Sequence, residues 1–247
     1  MDAKAAILAE LARAMAGQPA SRPLADRLCN GVVRIMGARG AALTLSYTTQ
    51  DRVTLCATDV RARRLEDLQE VLGEGPGATA FSSGQRVRAE IGTGAGAGDA
   101  RWPQFDQAAR AAFGALAVEA IPIHPARVVL GVLTCHHDVD GRLALAEASV
   151  QFLVDAVGGA LLTSARAEDA AETGPWRSRS LVHQATGMVV AQLHLQPVDA
   201  LAILRAHAFA RDATLFEVAD AVLRREIDFS AMDPTTATEP SDGTDES

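Results

Sequence analysis

The clearest pattern of apolar positions lies between Arg177 and Phe229, where three short segments each repeat them at helical spacing. Pro197 suits the first turn of the second segment, because the N–H that proline lacks has no partner there. Thr214 and Glu217 have the spacing of a capping box, which places the start of the third helix. The apolar positions are Leu181, Val182, Ala185, Met188, Val189, Leu193, then Leu201, Leu204, Ala208, then Leu215, Val218, Ala219, Val222 and Leu223. The pattern predicts a compact three-helix unit with short connections.

The residues before this unit change repeatedly between helical and strand-like patterns. Alternating or β-branched apolar residues indicate strands at residues 40–47, 52–59, 87–90, 115–123 and 128–136. Helical spacing indicates helices at residues 3–15, 23–36, 61–72 and 143–166. Thr48–Asp51 suits a hairpin between the first two strands. The order predicts an α+β domain in which helices cover one face of an antiparallel sheet.

Breaks in these patterns divide the chain. Gly92–Ala100 is rich in glycine and alanine, which indicates a mobile loop ahead of Trp102. Thr173–Pro175 cannot continue the preceding helix and marks a domain boundary. The last 18 residues contain five acids, no bases and few apolar side chains, a composition typical of disorder. We predict an α+β domain at 1–166, a linker at 167–176, a three-helix domain at 177–229 and a disordered acidic tail at 230–247.

A short run in the first predicted helix of the three-helix unit carries a family resemblance. The run is Ala185-Thr186-Gly187-Met188, and the later matching positions are Ala200, Leu204, Arg205, Ala208, Leu215, Val218 and Ala219. In order and spacing the unit resembles the ANTAR domain. That resemblance implies an all-α module that binds paired RNA hairpins, acts in transcription antitermination and works as a homodimer. Thr186 departs from the family pattern, which commonly has lysine there.

The α+β region carries a second resemblance, over about residues 3–166. Its motifs are Leu68-Gln69, Gly73–Gly77, Trp102-Pro103 with Phe105, Ile121–Ile123 and Gly131–Leu133. These motifs resemble the GAF domain, which binds small molecules in a pocket on one sheet face or only dimerises. The NKFDE-like run of the cyclic-nucleotide type is not visible. Together the two resemblances imply an actinobacterial arrangement of sensor and effector.

Charge limits the case for nucleic-acid binding. The chain has a net charge of −8, and the three-helix segment has six arginines and six acids. A dedicated nucleic-acid-binding domain usually has a basic surface, so this neutral balance argues against tight RNA binding. The candidate RNA-binding residues are Arg177, Arg179, His183, Gly187, Arg205 and Arg211. Arg205 matches the family pattern, and the other arginines are chosen by charge.

Gly187 has two interpretations. A glycine inside a helix costs roughly 1 kcal/mol relative to alanine, so its presence needs a reason. Either another helix packs against the bare backbone, which is the commoner use of a small residue, or a partner approaches closely there. His183, Gly187 and His194 share a face broadly opposite the apolar stripe.

The α+β region offers few groups for chemistry. Gly73–Gly77 lacks the lysine and hydroxyl of a phosphate-binding loop, so a structural turn is favoured. Cys135-His136-His137 points its side chains to alternate faces and lacks further spaced ligands, so we expect no metal site. Trp102 and Phe105 either line a ligand pocket or pin their loop onto the sheet. No nucleophile–base pair stands out, and we expect no catalytic residues.

Cysteine use and hydropathy bear on location. Three scattered cysteines argue against a disulfide framework and fit a reducing cytoplasm. No run of apolar residues is long enough to span a membrane, and the N-terminus does not read as a secretory signal. We therefore expect a cytoplasmic protein without a membrane segment.

These observations favour a regulator in which a GAF-like sensor, with a possible small-molecule ligand, controls RNA binding. A protein-interaction module without direct RNA binding is the alternative, and an enzyme is the least supported. The helix at 143–166 has an apolar face suited either to dimerisation or to packing on the sheet. That face consists of Leu145, Val150, Leu153, Val157 and Leu161.

Overall fold

The computed structural model describes residues 3–46, 52–92, 101–124, 128–168 and 175–230. They form two compact units that divide between Arg179 and Ser180, and each is described by itself. Several sequence predictions fall outside the described residues. They are the hairpin Thr48–Asp51, the mobile loop after Gly92, the centre of the linker at 169–174 and the tail after Ser230.

An antiparallel sheet forms the centre of the first unit, with strand order β2-β1-β5-β4-β3. The strands are β1 (Gly40–Ser46), β2 (Arg52–Ala57), β3 (Val87–Ile91), β4 (Leu116–Ile123) and β5 (Gly131–His137). The predicted α+β class is therefore confirmed. The last strand begins three residues later than the sequence pattern indicates, because Gly131 is the first residue in register with β1 and β4.

Helices cover both faces of this sheet, so the prediction of a single covered face is wrong. One layer contains α1 (Ala3–Ala16), α2 (Leu24–Met36) and α6 (Glu147–Glu168). The other contains α3 (Val60–Leu72), α4 (Pro76–Ser83) and α5 (Pro103–Phe113). The physical reason lies in β4 and β5, in which every residue is buried and neither face is left to water.

Two helices of the second layer, α4 and α5, were not predicted. Each begins with a proline at its first position, Pro76 and Pro103. Proline suits that position because its fixed φ angle is helical. In the sequence, however, the neighbouring glycines made the first look like a turn and the second like the end of a loop. Trp102 and Phe105 thus lie at the start of a helix rather than in a loop.

The apolar face of α6 is used inside the first unit. Val150, Leu153, Val157 and Leu161 are all buried in the cluster that joins α6 to the sheet, and Leu145 packs at its margin. Of the two interpretations of this face, packing on the sheet is the one the structure shows. A dimer would therefore need a different surface.

The structure corrects the expectation about cysteines. Cys29 of α2 and Cys56 of β2 form a disulfide, with Cα atoms 6.7 Å apart. The two residues are 27 positions apart in sequence, and only the packing of α2 against β2 brings them together. Cys135 of β5 is a free thiol, and its complete burial raises its pKa to about 12.

The described part of the second unit contains α7 (Pro175–Leu193) from Ser180 onward, α8 (Pro197–Ala210) and α9 (Leu215–Leu223). Pro197 occupies the first turn of α8, and the capping box of Thr214 and Glu217 is present, as predicted. After α9 the chain returns, and the backbone N–H of Phe229 donates to Oε1 of Gln192 at 3.2 Å. The buried residues are Ala185, Val189, Ala200, Leu201, Leu204, Ala208, Leu215, Val218, Ala219, Val222, Ile227 and Phe229.

Two neighbouring glycines of α6 give a matched test of this packing. A Cβ added at Gly158 would overlap Cγ2 of the fully buried Ile123, whereas no described atom lies within 4 Å of one at Gly159. We expect Gly158→Ala to lower the free energy of unfolding by roughly 1–3 kcal/mol. Gly159→Ala should raise it by up to about 1 kcal/mol, since alanine favours a helix. Urea unfolding of both variants measures the difference, and equal effects would contradict the contact of α6 with β4.

Candidate functional site

His183 and Gly187, two of the candidate RNA-binding residues, lie one turn apart on α7, and both are exposed. No described atom lies within 4 Å of the place that a Cβ of Gly187 would occupy. The favoured interpretation, in which a helix packs on the bare backbone, therefore finds no support among the described residues. Close approach of an external partner is the interpretation that fits this open surface.

Thr186, beside this glycine, uses its hydroxyl group in a hydrogen bond within α7. Its hydroxyl donates to the backbone oxygen of Val182 at 2.8 Å, one turn earlier in α7. It cannot replace the basic contact of a lysine. Arg177 and Arg179 belong to the first turn of the same helix, and their side chains lie outside the described residues.

The other two candidates lie around the end of α8. Arg205 is half-buried within the helix, and Arg211 is exposed at the residue that ends it. The N–H of Arg211 donates to the carbonyl oxygen of Ala208 at 3.2 Å, and the N–H of Asp212 donates to that of Phe209 at 3.2 Å, so the backbone at Arg211 is held in place. Arg211 is therefore the candidate arginine whose described side chain is most available to a partner.

His207 of α8 is a further polar residue of this unit, and it is not solvated as a surface histidine would be. It is half-buried, and its ring meets the ring of Phe229 edge to face at 5.3 Å between centroids. Burial lowers the pKa of His207 below its ordinary value, with a smaller contribution from the charge of Arg211.

An exposed apolar row on α8 was missed by the sequence analysis. Phe209 is 55% exposed and Val198 is 54% exposed, and Ala202 and Ala206 lie exposed between them. Phe216 at the start of α9 is a further exposed aromatic side chain. The available signal was that these residues fall outside the apolar stripe of their own helix. Exposed aromatic rings of this kind are often contact residues.

In the first unit, the glycine-rich turn after α3 is built into the core. The N–H of Gly77 donates to Oε1 of Gln69 at 2.6 Å, and Nε2 of Gln69 donates to Oε1 of Glu66 at 2.8 Å. A Cβ at Gly75 would lie 2.7 Å from Cγ of Gln69. The structural interpretation of Gly73–Gly77 accounts for these contacts.

The carboxylate of Glu66 is the centre of a buried polar network on the same face of the sheet. Thr44 Oγ1 donates to it at 2.7 Å and Arg52 Nη2 at 2.9 Å, in addition to Gln69. Glu66 is 2% exposed. The carboxylate of Glu66 is thus neutralised by Arg52 and accepts hydrogen bonds from Thr44 and Gln69, so it does not need a ligand as a partner.

Trp102 and Phe105 are buried in this face as well. Nε1 of Trp102 donates to Oγ1 of Thr79 at 2.9 Å, and Glu74 accepts from the N–H groups of Gln104 and Phe105. Phe105 is completely buried. These contacts pin the start of α5 onto the sheet, and a ligand-lining role for the two aromatic residues stays a prediction.

Cys135, His136 and His137, at the end of β5, lie in different environments. Nε2 of His136 lies 2.9 Å from the carboxylate of Asp59, whereas burial lowers the pKa of His137. Cys135 pairs across the sheet with Glu119. Within the described ranges, no group of three His, Cys, Asp or Glu side chains is arranged to hold a metal ion.

The described helices were compared in length and hydropathy with what a membrane span needs. None of them is by itself long and apolar enough to cross a membrane. Only the segments Ser180–Leu193 and Pro197–Ala210 taken together have the necessary length and composition, and they are bent by 106°.

Comparison with known families gives two matches in the order that the sequence suggests. A GAF domain model matches residues 22–161, more than half of the chain, and an ANTAR domain model matches residues 176–223. No curated protein matches the chain.

Several solved GAF domains are similar to the chain. The GAF domain of an Acinetobacter phosphoenolpyruvate-protein phosphotransferase is 15% identical, with a TM-score of 0.45 over 69% of this chain and 99% of that one. The A. aeolicus nlh2 GAF domain in an inactive state is 12% identical, with a TM-score of 0.42 over 66% of this chain and 96% of that one. We draw no functional conclusion from similarities at this level.

Protonation of His207 should destabilise the second unit. The lowered pKa means that the unfolded chain binds this proton more readily, so stability is complete above about pH 6.5 and falls as pH drops through the lowered value. Unfolding of the full chain at about pH 7.5 and about pH 5 measures the effect, followed at helical signals of this unit. His207→Phe should reduce the loss at low pH, whereas His183→Gln at an exposed position should not. An unchanged pH dependence in His207→Phe would contradict this assignment.

Proposed function

Because the chain belongs to the GAF domain family and carries an ANTAR domain after it, we propose that it is a signal-responsive transcription antitermination regulator. The ANTAR domain binds RNA hairpins, and the GAF domain controls that binding. Both domain types are sensory or regulatory rather than catalytic, which makes the chain a regulator of this general kind.

The observation that carries the proposal is the open surface around Gly187. The glycine weakens α7, and no described side chain uses the space that it leaves. A partner with a closely approaching backbone, such as the sugar-phosphate chain of RNA, explains why a side chain is absent there. Exposed His183 lies one turn away on the same helix, where the same partner would contact it.

A second part of the interface is the end of α8. Hairpin loops present unstacked bases, which proteins recognise by stacking them on aromatic rings and guanidinium planes. Phe209 offers an exposed ring there, and Arg211 follows two residues later. We assign base stacking to Phe209 and a phosphate contact to Arg211.

The neutral charge of the ANTAR segment sets the expected strength of binding. Each phosphate contact contributes about 0.9 to the slope of log affinity against log salt concentration on a duplex. With few arginines facing the RNA, we expect a shallow slope and moderate affinity. Paired hairpins would then be bound by a homodimer, in which two weak contacts together give a higher overall affinity than either contact alone.

Control by the GAF domain would act along the chain. α6 packs on the sheet through its apolar face and ends at Glu168, and only residues 169–174 separate it from α7. A change in the packing of α6 would therefore be passed through a short segment to α7, which we assign to RNA binding.

The alternative is a protein-interaction module. The specific observation in its favour is the apolar row of Val198, Ala202, Ala206 and Phe209 on α8, which would suit a protein surface as well as RNA bases. Salt separates the two, since phosphate contacts weaken steeply with salt and apolar contacts do not.

Gly187→Leu tests whether a partner uses the open surface. Leucine favours a helix over glycine, and the described residues leave room for its Cβ on the exposed face of α7, so the free energy of unfolding should rise by up to about 1 kcal/mol. RNA affinity should nevertheless fall about tenfold or more, because the side chain blocks close approach. The assay uses the full chain and the RNA recovered by crosslinking and sequencing in the host. Unchanged affinity in the stabilised variant would contradict the assigned surface.

Arg211→Ala tests the phosphate contact, with Arg224→Ala as its control. Arg224 is exposed but already paired with Asp220 and lies near Glu226. We expect Arg211→Ala to weaken RNA binding and to reduce the log–log salt slope by about one unit, and Arg224→Ala to leave the slope unchanged. If Arg177→Ala, Arg179→Ala, Arg205→Ala and Arg211→Ala all bind RNA as the parent does, the protein-interaction alternative replaces RNA binding.

A further inference from the structure

A cavity of about 400 Å³ opens at the β3 edge of the sheet in the GAF domain. Glu119 of β4 lines it and pairs across the sheet with Cys135, which belongs to the core under α1, α2 and α6. The cavity therefore lies on that face of the sheet, opposite the face that holds Trp102, Phe105 and the Glu66 network. Its volume is within the range of about 300–1,000 Å³ that is typical of small-molecule sites.

One wall of the cavity is held rigid by charged hydrogen bonds. Arg86 donates to the carboxylate of Glu119 through Nε at 2.9 Å and also through Nη2. Arg88 donates from Nη1 to Glu119 at 2.8 Å and from Nη2 to the carbonyl oxygen of Val139 at 2.9 Å. Glu119 is 2% exposed, so this arrangement exists before a ligand arrives. Pre-organised groups of this kind lose little entropy on binding.

The opposite wall is the segment that leads into α6. Leu143 and Leu145 are half-buried, and each presents an apolar side chain to the cavity. The N–H of Ala144 donates to the carbonyl oxygen of Met36 at 2.8 Å, which ties this segment to α2. Arg142 is exposed at the rim, and no ion pair to it occurs within the described ranges.

The charges around the cavity favour an anion with a single charge. Three guanidinium groups face two carboxylates, those of Glu119 and Glu147, so the lining has a net charge of +1 in a chain of −8. The two arginines of the rigid wall are balanced by Glu119 together with Glu90, whose Oε1 lies 3.4 Å from Nε of Arg88. Arg142 is then the cation available to a ligand, and Glu147 would repel a second negative charge.

We propose that this cavity binds a small aliphatic monocarboxylate, with its carboxylate at Arg142 and its hydrocarbon part against Leu143 and Leu145. At about 30 Å³ for each water molecule, the cavity has the volume of roughly a dozen waters, which is enough for a short aliphatic acid. The apolar wall excludes small hydrophilic anions such as acetate from strong binding, and the single net positive charge disfavours dianions.

The cavity is placed to act on the helix that leads toward the ANTAR domain. The opposite wall, with Leu143 and Leu145, immediately precedes α6, whose last residue is Glu168. That this binding is the sensory event rests on the proposed function, whereas the binding itself does not.

The test is calorimetric titration of the full chain with hexanoate, compared with hexanol, acetate and hexyl phosphate at the same concentrations. We expect hexanoate to bind with a Kd on the order of 1 mM and the other three to bind more weakly. Methyl signals of Leu143 and Leu145 should shift in NMR spectra as hexanoate is added. No RNA is present, so a failure of RNA binding leaves this result unaffected.

Variants of Arg142 and Glu147 test whether hexanoate binds in this cavity. Arg142→Glu should weaken hexanoate binding about tenfold or more, and Glu147→Gln should strengthen it about threefold by removing a repelling charge. Arg63→Ala, an exposed residue of α3 on the other face, is the control and should not change binding. The proposal is overturned if hexanoate gives no saturable heat up to about 30 mM. It is also overturned if hexanol binds equally well, or if Arg142→Glu binds as the parent does.

Discussion

Burial of β4 and β5 on both faces is the constraint on which the first unit depends. Because no residue of either strand meets water, every backbone polar group must be paired within the sheet, and each face needs its own layer of helices. One layer consists of α1, α2 and α6, which precede or follow all the strands in sequence. The other consists of α3, α4 and α5, which lie between strands in sequence. Within the sheet, the neighbouring strand β1 leaves no room for a side chain at Gly131, where a Cβ would overlap the carbonyl oxygen of Thr44.

Two buried carboxylates show how the two faces of this sheet differ. Glu66 is surrounded by a threonine, an arginine and a glutamine, and its network is closed by the glycine-rich turn that packs on it. Glu119 accepts hydrogen bonds from Arg86, just before the edge strand β3, and from Arg88 within that strand. A buried carboxylate is costly without partners, so both sets of cations are held in place. At the edge, the same arrangement leaves a charged wall beside open space.

The second unit depends on a much smaller core of alanine, valine and leucine side chains. Local devices therefore matter more in it: the capping box at the start of α9, the proline at the start of α8 and the ring of Phe229 against His207. One consequence is functional. With so few residues needed inside, one side of α7 and one side of α8 are left exposed, and these surfaces are where a partner of the ANTAR domain has access.

The sequence by itself determined the class of both units, the family resemblances, the start of α9 and the helical face that packs in α8. These features follow from spacing and capping within a few residues. Only the tertiary structure decided that α6 packs inward, that Cys29 meets Cys56, that Gly187 faces open space and that Arg86 and Arg88 line a cavity. Each depends on which distant segments become neighbours. Periodicity along one helix or strand shows that a face is apolar or charged, but it does not carry the identity of what lies opposite.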